Sequence, residues 1–93
     1  MYSVERIKDS MRINNTKNDE QIDSDIHACL SALVMAGIAV KDAQGNAKDD
    51  PLIDKAVEWY CKASLDYQGE ANRYTKAYEG LRNSMQGCGD YRL

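Results

Sequence analysis

Apolar residues recur along this chain every three or four positions, the spacing that lines up one face of an α-helix. Val4, Ile7 and Met11 mark a first short helix, and Ser3 stands where an N-terminal cap belongs. Ile13–Asn18 is polar and rich in Asn and Thr, so it reads as a connection. A second, longer helix starts at Asn18. Asn18 and Gln21 have the spacing of a capping box, and Asp19 and Glu20 suit the positive end of a helix. Ile22, Ile26, Cys29, Leu30, Leu33 and Val34 then form one apolar stripe. Gly37 ends the helix, because it enters the left-handed conformation at little cost, and Ile38 and Val40 pack over that end.

Lys41–Asp49 is a loop with turn chemistry at Gln44-Gly45-Asn46. Asp50-Pro51 marks a third helix sharply: Asp caps it, and Pro at the first helical position loses nothing by lacking an N–H. Ile53, Ala56, Val57, Tyr60, Cys61, Ser64 and Tyr67 lie along that helix, which ends near Gly69. Asn72 caps a fourth, carrying Tyr74, Ala77, Tyr78, Leu81 and Met85, and Gly87-Cys88-Gly89-Asp90 breaks it. No useful length shows strand-like alternation, and there are no internal repeats. The expected fold is therefore all-α: one domain over residues 1–93, helices over 3–12, 19–37, 51–68 and 72–86, and a flexible tail over 87–93. The inward stripe comprises Ile7, Ile22, Ile26, Leu30, Leu33, Ile53, Val57, Tyr60, Tyr78 and Leu81.

A chain of 93 residues buries only roughly 60–68% of its unfolded surface, so its core is modest and self-association would add stability. The net charge of −3 argues against a dedicated duplex-DNA binder, since the twelve Lys/Arg are interspersed with fifteen Asp/Glu. Met1–Asp9 lacks the basic segment and apolar stretch of a secretory signal. Ala32–Val40, the longest apolar run, is far short of the ~20 residues that span a bilayer. Cys29, Cys61 and Cys88 are odd in number and widely spaced, which fits neither a disulfide framework nor a zinc site. The expectation is a soluble protein of a reducing cytoplasm.

Candidate chemistry is sparse. His27, the single histidine, stands two residues before Cys29, and residues two apart on a helix point in different directions. The Asp-rich loop Asp42–Asp50 fails the calcium-hand pattern, because Gly45 is the fourth residue from Asp42 rather than the sixth. Asp23-Ser24 is the dipeptide that carries the prosthetic group in acyl carrier proteins, but Asp25 follows it and Ser24 lies inside the second helix. No catalytic, metal or cofactor residues are assigned, and no enzymatic activity is expected. Trp59, Tyr67 and Tyr74 are amphipathic and only partly explained by a core, so they are the candidate subunit-interface residues.

Four segments carry a family resemblance. Val4-Glu5-Arg6-Ile7-Lys8 leads to Met11-Arg12-Ile13; Asn18-Asp19-Glu20-Gln21-Ile22 opens a long helix finishing in Ala36-Gly37-Ile38. Asp49-Asp50-Pro51-Leu52-Ile53 leads to Ala56-Val57 and Tyr60-Cys61-Lys62-Ala63, and Ala77-Tyr78-Glu79-Gly80-Leu81-Arg82 precedes Asp90-Tyr91. In order and spacing these resemble the head–tail connector (adaptor, head-completion) proteins of tailed bacteriophages, over Val4–Tyr91. The chain departs from that pattern at Gly80 and in the looser Gly87-Cys88-Gly89. The resemblance implies a structural subunit that forms a homo-oligomeric ring, a dodecamer on the portal protein. Such a ring extends the DNA channel and offers a platform to a downstream head-completion or tail protein. It implies assembly in the host bacterial cytoplasm, a final place at the head–tail interface of the virion, and neither membrane nor sequence-specific nucleic-acid partners. On the same ground Met85, Tyr91 and Arg92 are assigned to portal docking, and Lys41–Asp50 to the channel or a neighbouring subunit. The alternative is a small helical nucleic-acid-binding regulator, against which stands the lack of a basic face on the second helix.

Overall fold

The structure, a computed structural model, describes residues 1–93 as four α-helices: α1 (Val4–Met11), α2 (Asp19–Met35), α3 (Pro51–Ser64) and α4 (Ala71–Gln86). Single 3-10 turns cover Tyr67–Gly69 and Gly89–Tyr91. α3 is the shared element: α1, α2 and α4 all pack against it, and α1 also rests on α2. No helix is long and apolar enough to cross a membrane.

The helix ends show which local signals act. The Ser3 hydroxyl accepts the Arg6 N–H at 3.1 Å, and the Asp50 carboxylate accepts the Leu52 N–H at 2.8 Å. These satisfy N–H groups that have no partner inside the helix. α2 closes in a Schellman arrangement, with Gly37 at φ 85°. Its N–H reaches the Val34 carbonyl at 2.9 Å, and the Ile38 N–H reaches Leu33 at 2.9 Å. Ile38 and Leu33 are both fully buried, which supplies the apolar contact that accompanies this motif.

Two expected caps do not form. Asn18, at φ −106° and ψ 8°, lies outside the extended backbone typical of a capping residue and makes no side-chain cap bond, and the Gln21 amide turns to Asp25, one helical turn ahead, at 2.9 Å. α4 starts at Ala71 rather than Asn72, and its first N–H is taken by the Asp66 carboxylate at 3.0 Å. Two helices also end earlier than their apolar pattern predicts. α2 stops at Met35, and α3 at Ser64, where Asp66 and Gln68 take left-handed φ values of 49° and 56°.

The core joins Ile7 and Met11 of α1, Ile22, Ile26, Cys29 and Leu33 of α2, and Ile53, Ala56, Val57 and Cys61 of α3 to Tyr78 and Met85 of α4; Ile38 and Val40 complete it. Ala56 is fully buried and too small to hold a neighbouring helix at a distance, so α2 and α3 approach closely there: the Cys29 thiol lies 3.9 Å from the Ala56 carbonyl. Leu30, Tyr60 and Leu81, expected inside, are only half-buried, and Val34 is 42% exposed. They sit on the flanks of their helical stripes rather than at the centre. α1 is fastened by polar contacts. The Lys8 ammonium meets Asp19 at 2.9 Å, and the nearly buried Asp54 accepts from the Tyr2 N–H at 2.9 Å and from Arg6 at 3.4 Å. The hydrogen bond to Asp19 holds the Lys8 ammonium above its ordinary pKa.

Leu33→Ala removes a side chain with no exposed surface and is expected to cost ~2–5 kcal/mol in urea unfolding. Leu30→Ala, at a half-buried position, is expected to cost clearly less; equal costs would contradict the placement of the two residues.

Candidate interaction surface

The core face of α3 runs through Ile53, Val57 and Cys61, which leaves Lys55, Trp59 and Lys62 on the opposite side, spaced by four and three residues. After α3 the chain reverses through the left-handed residues Asp66, Gln68 and Gly69, and this turn brings Tyr67 onto Tyr74. Their ring centres are 6.2 Å apart with planes tilted by 52°. The Lys62 ammonium lies 5.2 Å from the Tyr67 ring and 5.4 Å from the Tyr74 ring. It also meets the Glu58 carboxylate at 3.5 Å, and that carboxylate takes Lys55 at 3.3 Å. Lys55 in turn stands 6.0 Å from the Trp59 ring, and Arg73 is 5.8 Å from Tyr74 while pairing with Glu70 at 3.0 Å.

The three aromatic residues read as interface candidates therefore share one outer face, all half-buried and packed among cations. The Lys62 side chain is only 12% exposed, so its head group is largely withdrawn from water and divided between one carboxylate and two rings. Desolvation strengthens a cation–π contact, and here it orients the tyrosines from beneath. The outcome is a surface of half-buried rings bordered by exposed Lys55 and Arg73. Such rings combine apolar area with polar tips and suit a protein partner.

The second group does not form a free surface. Met85 is 1% exposed and belongs to the core, so it is unavailable for docking in the folded chain. It follows Tyr78 by seven residues, two helical turns along the same inward face of α4. Tyr91 is half-buried; its hydroxyl donates to Asp50 at 2.8 Å, using the second oxygen of the carboxylate that caps α3. Its carbonyl accepts the Ala39 N–H at 2.7 Å, and the Leu93 N–H donates to Gly37 at 3.1 Å. Lys48 adds a contact 5.5 Å above the Tyr91 ring. The tail read as flexible is thus paired, antiparallel, with the segment that follows α2. Arg92 alone of the three is exposed. The loop after this segment folds back on itself, with Lys41 bridged to Ala47 and the Asp42 carboxylate accepting the N–H groups of Gln44 and Asn46, each at 2.9 Å.

His27 is exposed, with Asp23 3.7 Å away as its neighbour one turn earlier. No group of three or more His, Cys, Asp or Glu side chains converges as a metal site would require. Cys29 and Cys61 are buried, and burial pushes both thiols up to about 12; the Cys61 thiol beside Cys29 and the Asp25 carboxylate near Cys61 act in the same direction. A thiol held un-ionised is a poor nucleophile. The buried Tyr78 hydroxyl has no partner at hydrogen-bond geometry, and burial raises it to about 12. Three clefts open at the surface, the smallest, of about 140 Å³, between α1 and α3. One of about 490 Å³ lies between α3 and α4, lined by Tyr60, Ser64, Thr75, Tyr78, Glu79 and Arg82. Another, of about 390 Å³ and mostly apolar, lies at the end of α2 among Tyr2, Leu30, Val34, Met35, Val40 and Ala47.

Comparison with protein-family models, curated proteins and solved structures found no match to this chain.

In the folded protein the half-buried Cys88 is expected to react first with a thiol reagent, whereas Cys29 and Cys61 react only as the chain opens. Both buried thiols have folded pKa values above their ordinary value of 9.0, so stability is complete below about pH 9 and declines as pH rises from there towards about 12. Cys61→Ala should flatten that alkaline decline in pH-dependent unfolding curves. Tyr91→Phe keeps the ring and removes only the bond to Asp50; it should lower stability by about 0.5–1.5 kcal/mol, the usual worth of one hydrogen bond. An unchanged urea midpoint would show that the tail is not held there.

Proposed function

We propose that this protein is a structural assembly subunit, the head–tail connector of a tailed bacteriophage. In this reading it docks as a homo-oligomeric ring on the portal protein, extends the DNA channel, and presents a platform to a later head-completion or tail protein. The observation that carries the reading, beside the sequence resemblance, is the gathering of Trp59, Tyr67 and Tyr74 on one outer face. That face is amphipathic, its tyrosine rings packed on each other and on the Lys62 ammonium. The protein works by contact and not by catalysis. Docking on the portal then falls to exposed groups, Arg92 among them, and to Tyr91 if the tail is released from Asp50.

The same face favours one other reading. Lysines interleaved with aromatic rings are how single-stranded nucleic acid is held, by phosphate contacts and base stacking. Here Lys62 is already committed to Glu58 and its two rings, which leaves Lys55 and Arg73 as the exposed cations. A small nucleic-acid-binding regulator is therefore the second reading.

Co-expression with a phage portal protein, followed by native mass measurement, tests the first reading. Several copies per portal are expected. A single bound copy, or none, overturns the ring; a salt-sensitive complex with single-stranded DNA in place of portal binding favours the regulator.

A further inference from the structure

The cations around the outer face of α3 are matched: Lys55 and Lys62 share the Glu58 carboxylate, and Arg73 pairs with Glu70. Glu79 and Arg82 differ. They stand one turn apart on α4, at the spacing where opposite charges ordinarily pair, yet neither is in an ion pair. The Arg82 guanidinium is turned over the Tyr78 ring, 5.9 Å from its centre. Its hydrogen bond to the side-chain oxygen of Asn83 is long, at 3.4 Å. Glu79 is exposed.

Both charges line the cleft of about 490 Å³ between α3 and α4. Its α4 wall is Thr75, Tyr78, Glu79 and Arg82, spaced by three, one and three residues, which is one stripe of a helix. Its α3 wall includes Tyr60 and Ser64, one turn apart. Short side chains at Ser64 and Thr75 leave room between the helices. At the base Tyr60 meets Tyr78 edge to face, with ring centres 5.2 Å apart and planes at 72°. The cleft thus has an aromatic floor, exposed Ser64 and Thr75 hydroxyls at its rim, and one unpaired charge of each sign. Its size falls within the ~300–1,000 Å³ of small-molecule sites.

We infer that this cleft binds an α-amino acid with an aromatic side chain. Arg82 takes the carboxylate, which its planar fork of N–H donors matches. Glu79 takes the ammonium. Side chains at this spacing leave a helix ~5–6 Å apart, so both heads reach groups that share a single carbon atom. The ring of the ligand lies against Tyr60, where aromatic pairing adds to the apolar area buried. The two charges set the class. A phosphorylated ligand would bring its excess negative charge against Glu79, and a simple amine would bring its positive charge against Arg82. A ligand with one charge of each sign leaves neither side chain unmatched. The site rests on the cleft alone and not on the connector reading.

The test follows the proton–nitrogen correlation spectrum of the full chain as ligands are added. The probes are L-phenylalanine, phenethylamine without the carboxylate, phenylpropionate without the ammonium, and N-acetylphenylalanine amide without either charge. L-Phenylalanine is expected to bind with a Kd of about 1 mM or tighter, and each of the others at least about tenfold more weakly. The shifted amides should be those of Ser64, Thr75, Glu79 and Arg82. Two variants outside the core separate the roles. Glu79→Gln should weaken L-phenylalanine about tenfold and leave phenylpropionate no weaker. Arg82→Gln should weaken L-phenylalanine by a similar factor and leave phenethylamine no weaker. The absence of shifts at ~10 mM L-phenylalanine, or shifts centred elsewhere, overturns the site. Equal binding of all four probes overturns it too, since the cleft is then an apolar groove that ignores charge. The probe series on the unaltered chain decides the matter even where a variant fails to fold. Portal copy number is measured separately, so either reading can fail without the other.

Discussion

Everything in this small fold depends on one helix being buried along its inner face. α3 contributes Ile53, Ala56, Val57 and Cys61, each with no exposed surface, and α1, α2 and α4 are all placed by contact with it. A chain of this size has little apolar surface to spare, so the burial is concentrated on a single shared element. The small side chains of Ala56, Cys29 and Cys61 let α2 approach closely, and close approach is what makes dispersion contacts effective. The same geometry dictates the outside. Once one face of α3 is given to the core, Lys55, Trp59 and Lys62 have only the opposite face to occupy.

Polar groups then do the work for which apolar area is insufficient. α1 is eight residues long, too short to be stable alone, and two carboxylates hold it: Asp19 through Lys8 and Asp54 through the Tyr2 N–H and Arg6. Asp50 serves twice, one oxygen capping α3 and the other receiving Tyr91. The helix start and the chain's tail are thereby coupled through a single side chain.

Much of this was legible in the sequence wherever the signal is local. Ser3, Gly37 and Asp50-Pro51 act as written, because a cap or a left-handed residue depends on its own few neighbours. The all-helical class followed from periodicity for the same reason. The Asn18–Gln21 box stays open because Asn18 is not in extended backbone and Gln21 has a competing acceptor in Asp25, and Asn72 is displaced because Asp66 reaches Ala71 across a left-handed turn. Leu30, Tyr60 and Leu81 carry the right spacing, but only packing decides which edge of a stripe faces in. For the candidate surface, Trp59, Tyr67 and Tyr74 could be chosen as amphipathic residues with no complete role in the core. Their convergence around Lys62 could not be read, since it needs the reversal at Asp66–Gly69. Met85 was misplaced because the glycines after it suggest a loose end, whereas the segment is drawn in by pairing with residues some fifty positions earlier.

That pairing has a consequence for the order in which the molecule assembles. The partners of Tyr91 and Leu93 are Ala39 and Gly37, and the chain between them contains all of α3 and α4. The α3–α4 hairpin is a short-range event and forms readily, but the tail meets its partner only after that hairpin has carried it back to the end of α2. By sequence separation the tail is expected to be the last segment to arrive and the first to leave. Its release breaks the bond from Tyr91 to Asp50 and leaves the other oxygen of that carboxylate on the start of α3. What detaches in such an opening is the 3-10 turn Gly89–Tyr91 with Arg92 and Leu93, and what it uncovers is the backbone of Gly37–Ala39. Without the tail, the Ala39 N–H and the Gly37 carbonyl would lose their partners and be open to pairing with another extended segment.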